Sequence, residues 1–197
     1  HYTYQETGKN LVHSNFLHSL LLDHSGNVWV GSEFAGVTLL SVLSEGSYRI
    51  YPEHESVNDY VNAIRTVVKM PDGGFWFGTR QGNVYAYDKN LEAASCYKMP
   101  YNYIYAASCD GDGKLWLGTR TMGLCIDGRW YHKMAGDTLS LAHENIFDIY
   151  RDDKNRMWIG TFGGGLNLAV SRKDRYVFRK FLTGSGRLQE VRMITQD

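Results

Sequence analysis

The chain has 197 residues, with 21 Lys and Arg against 21 Asp and Glu, so its formal net charge is zero. This balance disfavours a nucleic-acid partner, because phosphate binding needs a basic surplus on one face. Hydrophobic residues make up 43% of the chain, which excludes a disordered protein. Aromatic residues at 14%, with 21 glycines and only three prolines, favour β-structure with many tight turns.

Apolar stretches and cysteines set further limits. The longest apolar stretches, Leu20 to Leu22 and Val37 to Leu40, are far too short to cross a bilayer. The three cysteines are an odd number without zinc-ligand spacing, so we expect them to be buried as small hydrophobic residues. They are Cys96, Cys109 and Cys125. The chain opens without a methionine or a signal sequence, and we expect it to be a piece of a longer protein.

A tryptophan phrase recurs four times along the chain. Each copy reads Trp, an apolar residue, Gly, then Ser or Thr, and successive copies are 40 to 47 residues apart. The copies begin at Trp29, Trp76, Trp116 and Trp158. Six positions before the Trp, three copies carry Asp and the second carries Met70; the aspartates are Asp23, Asp110 and Asp152. This self-similarity predicts a repeat architecture.

Each copy predicts the same succession of short strands: an apolar segment, a tight turn, the Trp strand, a glycine turn, a third segment and a final aromatic strand. The first segments are Leu17–Leu22, Ala63–Val68, Ile104–Ala107 and Ile146–Tyr150. The last segments are Tyr48–Tyr51, Cys96–Tyr97, Trp130–Tyr131 and Tyr176–Phe181. The first turn holds Gly26, Gly73 and Gly113, with Asn155 in the fourth copy. Asn is the residue other than glycine that best tolerates a positive φ, so the turn is preserved.

A unit of about 40 to 50 residues with four antiparallel strands has the period of a β-propeller blade. One such sheet has two apolar faces and must stack against copies of itself. We therefore predict an all-β chain, a partial β-propeller with four complete four-stranded blades; a β-sandwich and an open solenoid are the alternatives. The predicted boundaries are an outer strand of a preceding blade at 1–14, blades at 15–58, 59–99, 100–141 and 142–188, and an inner strand of a following blade at 189–197. Exposed strand edges at both ends favour self-association.

The phrase Asp-x-x-Gly-x-x-Trp-[Ile/Val/Leu]-Gly-Thr-x-x-x-Gly-[Leu/Val] resembles the two-component regulator propeller repeat. The fourth copy, Asp152 through Leu168, fits it best, and the second departs most because Met70 replaces the Asp. The resemblance covers essentially the whole chain. It implies the periplasmic sensor region of a hybrid two-component histidine kinase of the Bacteroides type, anchored in the inner membrane, with the kinase elsewhere in the chain. It also implies a response to oligosaccharides released from polysaccharides.

Ligand-binding residues are predicted where the copies differ while the backbone agrees. The fourth position after the Trp holds Glu33, Arg80, Arg120 and Phe162. Connections entering the next blade, expected on the same face, hold Tyr60, Tyr101, Asn102, Tyr103 and His143. Arginines on neighbouring blades, Arg80 and Arg120, are suited to grip a carboxylate or sulfate, and aromatic rings with nearby amides are suited to sugars. The alternative is that these are solvated loop residues, with both arginines paired to local acids.

No catalytic residue, metal site or cofactor is predicted, because the histidines lack metal-ligand spacing and the serines form no nucleophile elbow. The leading hypothesis is therefore a segment without enzymatic activity that senses an oligosaccharide and regulates a kinase elsewhere in the chain. One alternative is a scaffold or lectin-like propeller. A less favoured one is a propeller lyase, for which His143 is the candidate residue.

Overall fold

The computed structural model describes residues 14–41, 46–53, 62–100, 103–182 and 189–196. These residues form sixteen β-strands and no helix able to span a membrane. The strands are β1 (Leu17–Leu22), β2 (Val28–Ser32), β3 (Val37–Ser41), β4 (Gly46–Ile50), β5 (Ile64–Lys69), β6 (Phe75–Thr79), β7 (Asn83–Tyr87), β8 (Ala93–Lys98), β9 (Ile104–Cys109), β10 (Leu115–Thr119), β11 (Leu124–Ile126), β12 (Arg129–Tyr131), β13 (Ile146–Arg151), β14 (Met157–Thr161), β15 (Leu166–Arg172) and β16 (Arg175–Phe181).

Every four consecutive strands form one antiparallel sheet in which the spatial order follows the sequence. The four sheets are β1–β4, β5–β8, β9–β12 and β13–β16, and the recurring tryptophan lies in the second strand of each. The chain divides into two compact units, His1–Ile104 and Tyr105–Asp197. The first holds the sheets β1–β4 and β5–β8, and the second holds β13–β16 and nearly all of β9–β12. The predicted four-stranded sheets are thereby confirmed.

An aspartate organises the turn between the first two strands of a sheet. Asp152 accepts hydrogen bonds from the backbone N–H groups of Lys154 (3.0 Å) and Arg156 (2.8 Å) and from Nε1 of Trp158 (2.9 Å). Desolvation alone raises the pKa of Asp152, but the hydrogen bond from Trp158 and the hydrogen bonds and charge of Arg156 lower it to about 2. Asn155 completes the turn with φ of 59°, as its place in the repeat predicts.

The same turn recurs with one exception. Asp23 accepts from Nε1 of Trp29 at 3.1 Å and Asp110 from Nε1 of Trp116 at 3.0 Å. In the second sheet Met70 has no carboxylate to offer, and the backbone N–H of Gly74 donates instead to Asp72 Oδ1 at 2.9 Å. The backbone of the turn survives this exchange.

In the first unit the two sheets pack face to face through aromatic rings. The ring of Trp29, 2% exposed, lies 4.0 Å from that of Phe75 in the next sheet. Close approach depends on Gly31, because a Cβ at this position would lie 2.9 Å from Cγ2 of Ile64. The glycine that follows each Trp thus lets the first strand of the next sheet come close.

The second unit repeats this packing. Trp116 is fully buried, and its ring centroid lies 4.8 Å from that of Tyr176 in the following sheet. Gly118 lies directly against the buried side chain of Ile146, so a Cβ there would overlap it. Burial of these aromatic and aliphatic side chains supplies the main stabilisation of the unit.

Residues 189–196 lie where the first strand of another sheet would begin. The backbone N–H of Val191 donates to the carbonyl of Thr161 at 3.0 Å, and Gly160 faces Val191 as Gly118 faces Ile146. Further along, the N–H of Ile194 donates to Asp148 Oδ2 at 2.6 Å. The predicted blade boundaries, including this following strand, stay predictions.

The cysteine prediction is correct for two of three residues. Cys109 and Cys125 are buried, whereas Cys96 is exposed, and all three are free thiols. Cys96 lies on β8, the outermost strand of its sheet, where one face meets solvent. Tyr97 and Lys98 on the same strand are exposed as well, so the position on the edge strand, rather than the residue type, decides the exposure of Cys96.

Candidate functional site

Two positions of the repeat meet at one end of each sheet. The first is the residue that follows the second strand: Glu33, Arg80, Arg120 and Phe162. The second is the second residue of the first strand: His18, Arg65, Tyr105 and Phe147. Antiparallel pairing places the start of the first strand beside the end of the second. The pairing register skips His18, Arg65 and Phe147, so each occupies a β-bulge, which re-aims a side chain.

In the first unit these positions form a charged cluster of His18, Glu33, Arg65 and Arg80. Glu33 is its centre: Oε1 accepts from Arg80 Nη1 at 2.5 Å, and Oε2 lies 3.2 Å from Arg65 Nη2 and bonds to His18 Nε2. The Nη1 of Arg65 also lies 3.0 Å from His18 Nδ1. A guanidinium only donates, so the network assigns the imidazole hydrogen to Nε2, which donates to Glu33.

Glu33 is the most buried member of the charged cluster. The carboxylate side chain is 9% exposed, against 19% for Arg65 and 34% for Arg80. Burial on its own raises the pKa of Glu33, but the hydrogen bond from His18 and the charge of Arg65 outweigh it, and the pKa lies below its ordinary value. Glu33 is therefore ionised at neutral pH and holds two guanidinium groups that remain partly accessible.

Tyr103 extends the charged cluster. The guanidinium carbon of Arg80 lies 5.8 Å from the centroid of its ring, within cation–π range. Tyr103 has φ of 72°, and its backbone N–H donates to the carbonyl of Arg80 at 2.8 Å. Three residues predicted separately from the sequence, Glu33, Arg80 and Tyr103, are thus brought together.

In the second unit the same positions form an aromatic cluster of Tyr105, Phe147, Phe162 and Arg192. The ring of Phe147 lies 5.5 Å from that of Tyr105 and 5.4 Å from that of Phe162. The guanidinium of Arg192 lies 5.8 Å from the Phe147 centroid and 6.0 Å from that of Phe162. All three rings are half-buried, and the Arg192 side chain is 69% exposed. The cluster is an accessible apolar surface with a cation at its edge.

The other predicted site residues fall in three places. His143 lies beside the Phe162 loop: its ring packs near Gly163, its Nδ1 accepts from the N–H of Asn145 at 3.0 Å, and burial lowers its pKa. Arg120 is exposed in the second unit, so its pairing with Arg80 stays a prediction. Three predicted residues lie outside the described residues: Tyr60, Tyr101 and Asn102.

Reasoning from the sequence missed the bulge residues and Arg192. A signal for them exists, because the residue before each is apolar in every copy while the bulge position itself varies. The apolar residues are Leu17, Ile64, Ile104, Ile146 and Val191. The variable ones are His18, Arg65, Tyr105, Phe147 and Arg192. The bulge itself leaves no mark in a single strand and becomes visible only from the pairing register.

The described ranges contain no set of side chains arranged to bind a metal ion. None of their His, Cys, Asp and Glu side chains form a group of three arranged to hold a metal ion. His143, the candidate for a lyase, has its Nδ1 engaged by the backbone of Asn145.

Comparison with known proteins places the repeat in a family. The family model described as two component regulator propeller matches residues 98–121 and 140–163, which include the third and fourth tryptophan phrases. Histidine kinase P4 of Formosa agariphila is 24% identical over 92% of this chain. The chain spans only 14% of the length of that kinase.

Solved structures show the fold. The extracellular domain of a hybrid two-component system from B. thetaiotaomicron, BT3049, has a TM-score of 0.68 and 24% identity, covering 91% of this chain and 24% of that one. Virginiamycin B lyase from Staphylococcus aureus has a TM-score of 0.64 and 12% identity, covering 85% of this chain and 56% of the lyase. This likeness and the four four-stranded sheets confirm the predicted partial β-propeller. The family model thus confirms the resemblance to the two-component regulator propeller repeat for the third and fourth copies.

Proposed function

We propose that this chain is a ligand-sensing propeller segment in the periplasmic part of a hybrid two-component histidine kinase. The observation that carries the proposal is the repeat itself: its family model matches two copies, and a histidine kinase is similar along 92% of the chain. The likeness to extracellular domains of two hybrid two-component systems of B. thetaiotaomicron supports the location. In this proposal the segment has no catalytic role, and the membrane anchor and the kinase lie elsewhere in the protein.

The proposed ligand is an oligosaccharide derived from a polysaccharide. The charged cluster supports an acidic substituent, because Arg65 and Arg80 are held in place by Glu33 yet stay partly accessible. A guanidinium fixed in this way has lost side-chain freedom before the ligand arrives, which favours bidentate binding of a carboxylate or sulfate. The aromatic cluster offers rings to the apolar face of a sugar.

Signalling requires more than affinity. A ligand shifts an equilibrium between two arrangements of a receptor only by the difference in its affinity for them. The propeller segment would therefore contact the oligosaccharide in one arrangement of the protein more strongly than in the other, and self-association of the propeller is the proposed route to such arrangements.

The test uses the full-length protein in membrane vesicles. Autophosphorylation is measured with uronate-containing or sulfated oligosaccharides and with neutral oligosaccharides of equal length, alongside thermal unfolding. An oligosaccharide at about 100 times its Kd adds roughly 2.7 kcal/mol of stability, which a thermal scan resolves. We expect an acidic oligosaccharide to raise the unfolding temperature and change autophosphorylation together.

Arg120→Ala is the informative variant, because Arg120 is an exposed cation at a predicted ligand-binding position. We expect weaker binding of the acidic oligosaccharide and an unchanged unfolding temperature without ligand. Lys89→Ala, which removes an exposed cation from the turn between β7 and β8, is the control. Binding without any change in autophosphorylation would favour the lectin-like scaffold. If no oligosaccharide changed either the unfolding temperature or autophosphorylation, the proposal would be overturned.

A further inference from the structure

The aromatic cluster obeys a geometric rule that the charged cluster also obeys. In the first unit Glu33, which follows β2, bridges the bulge residue of its own sheet, His18, and that of the next sheet, Arg65. In the second unit Phe162, which follows β14, lies against Phe147 of its own sheet and Arg192 in the segment beyond. The backbone provides the same meeting point twice, and the side chains decide its chemistry.

Core packing does not explain these rings. The hydrophobic core of the second unit is built from other residues, among them Trp116, Ile146 and Phe178. Phe147 and Phe162 lie outside that core and remain half-buried at the loop end of the sheet. Their planes meet at 55°, so the two rings form an open wedge rather than a closed stack.

The cation at the edge of the wedge is movable. Arg192 lies over both phenyl rings, but its ion pair with Glu190 is a surface contact at 3.3 Å, and such pairs contribute little. Its side chain is 69% exposed, so the guanidinium can turn toward a ligand without leaving a buried cavity. A ring that enters the wedge meets two aromatic faces and a mobile donor.

We infer that Phe147 and Phe162 form a stacking subsite for one pyranose ring of the oligosaccharide, with Arg192 donating to the substituents of that ring. The inference rests on the proposed function and deepens it. A pyranose presents axial C–H groups on one face and hydroxyl or acidic groups at its edge, which matches an apolar face bordered by a multivalent donor. Phe147 and Arg192 become specificity-determining residues that no motif of the sequence identified.

The test compares variants of the full-length protein by calorimetric titration with the uronate-containing and neutral oligosaccharides named above. Phe147→Leu keeps apolar volume but removes the aromatic face, and we expect its Kd to rise at least about tenfold. Phe147→Tyr keeps the face, and its Kd is expected to stay within about twofold of the wild type. Phe181→Leu is the matched control, because Phe181 is a 38% exposed aromatic residue of the same sheet outside the cluster.

Arg192→Gln separates the donor from the wedge: we expect a loss of about fivefold or more for the uronate-containing oligosaccharide and less than twofold for the neutral one. Thermal unfolding without ligand shows that each variant is folded. Wild-type binding that Phe147→Leu leaves unchanged would overturn the subsite while the proposed function stands. Failure of the wild type to bind any of these oligosaccharides would overturn both.

Discussion

The two units share a packing scheme and differ in the chemistry at its loop end. In each, a tryptophan packs against an aromatic ring of the next sheet, and a glycine two residues later lies against an isoleucine of that sheet. The aromatic pairs are Trp29 with Phe75 in one unit and Trp116 with Tyr176 in the other. At the equivalent bulge and loop positions, the first unit holds a carboxylate among cations and the second holds three aromatic rings. The fold is specified by a few positions and leaves two positions per repeat free for recognition.

Substitutions at these two positions are expected to cost different amounts of stability in the two units. A buried carboxylate is tolerable only while its cations surround it, so the members of the charged cluster depend on one another. Aromatic rings at a half-buried position lose apolar contact when one is removed, but nothing is left as an uncompensated charge. The first unit should therefore be the more sensitive to single substitutions at these positions.

Replacing Glu33 is expected to have the largest effect. Glu33→Ala leaves Arg65 and Arg80 facing each other without the carboxylate, and since both cations are partly exposed we expect a loss of about 2–3 kcal/mol. Phe162→Ala, the equivalent change in the second unit, is expected to cost about 1–2 kcal/mol because the ring is half-buried. Urea unfolding of both variants measures the difference.

Glu33→Gln is the control that separates charge from shape, and it should lose most of what Glu33→Ala loses. Equal losses for Glu33→Ala and Phe162→Ala would contradict the proposed asymmetry between charged and aromatic clusters. So would a Glu33→Gln variant as stable as the wild type.

A change of pH should alter the contributions of Glu33 and Asp148 to the free energy of unfolding in opposite directions. The pKa of Glu33 lies below its ordinary 4.5. The stabilisation that Glu33 adds to the folded state is therefore complete above pH 4.5 and is lost as the pH falls through the folded-state pKa. Burial raises the pKa of Asp148 above 3.8 against hydrogen bonds from Ile194 and Ile149. A raised pKa means that Asp148 favours folding below 3.8 and loses this contribution as the pH rises through the folded-state pKa.

Variants that replace each carboxyl group by a neutral amide test these two opposite trends. We expect Glu33→Gln to be progressively less stable than the wild type as the pH rises from about 3 to 7, and Asp148→Asn to be progressively more stable relative to it. Urea unfolding across this range gives both curves. Parallel curves would show that the two carboxyl groups are not in the contrasting environments described.

The fold was accessible from the sequence because its determinants are local and repeated. Asp152, Asn155 and Trp158 act within one turn, and a single copy of the phrase already states their spacing. The apolar first segments predicted from sequence lie within two residues of β1, β5, β9 and β13. Four repetitions then average out the exceptions, such as Met70.

Only part of the site could be predicted from the sequence, because its contacts join distant parts of the chain. Glu33 and Arg80 are both predicted as ligand-binding residues, and the alternative pairs Arg80 with a local acid; no pattern identifies Glu33, 47 positions away, as that acid. His18 and Arg65 were overlooked because a β-bulge is a property of two paired strands. The role of Arg120 stays a prediction, since its neighbours in a ligand complex depend on more than its own repeat.

The smallest expected effect concerns the one turn that lacks its aspartate. Trp76 is half-buried and stacks on Tyr97 at 5.4 Å, but Met70 offers its indole N–H no acceptor, whereas Trp116 in the second unit donates to Asp110. Met70→Asp would supply a carboxylate to that N–H and to the turn, and we expect a gain of about 0.5–1 kcal/mol. Unfolding in urea at neutral pH measures it.

Met70→Leu is the matched control, because it keeps an apolar side chain of similar volume and adds no acceptor; we expect its stability to stay within about 0.5 kcal/mol of the wild type. The gain from Met70→Asp is limited because Asp72 already accepts from Gly74 and would lie close to the new charge. The third copy tolerates the same spacing of two acids, with Asp110 and Asp112 in one turn. A loss of stability in Met70→Asp would mean that this turn is built around the methionine, and that the two units differ in their scaffold as well as in their recognition positions.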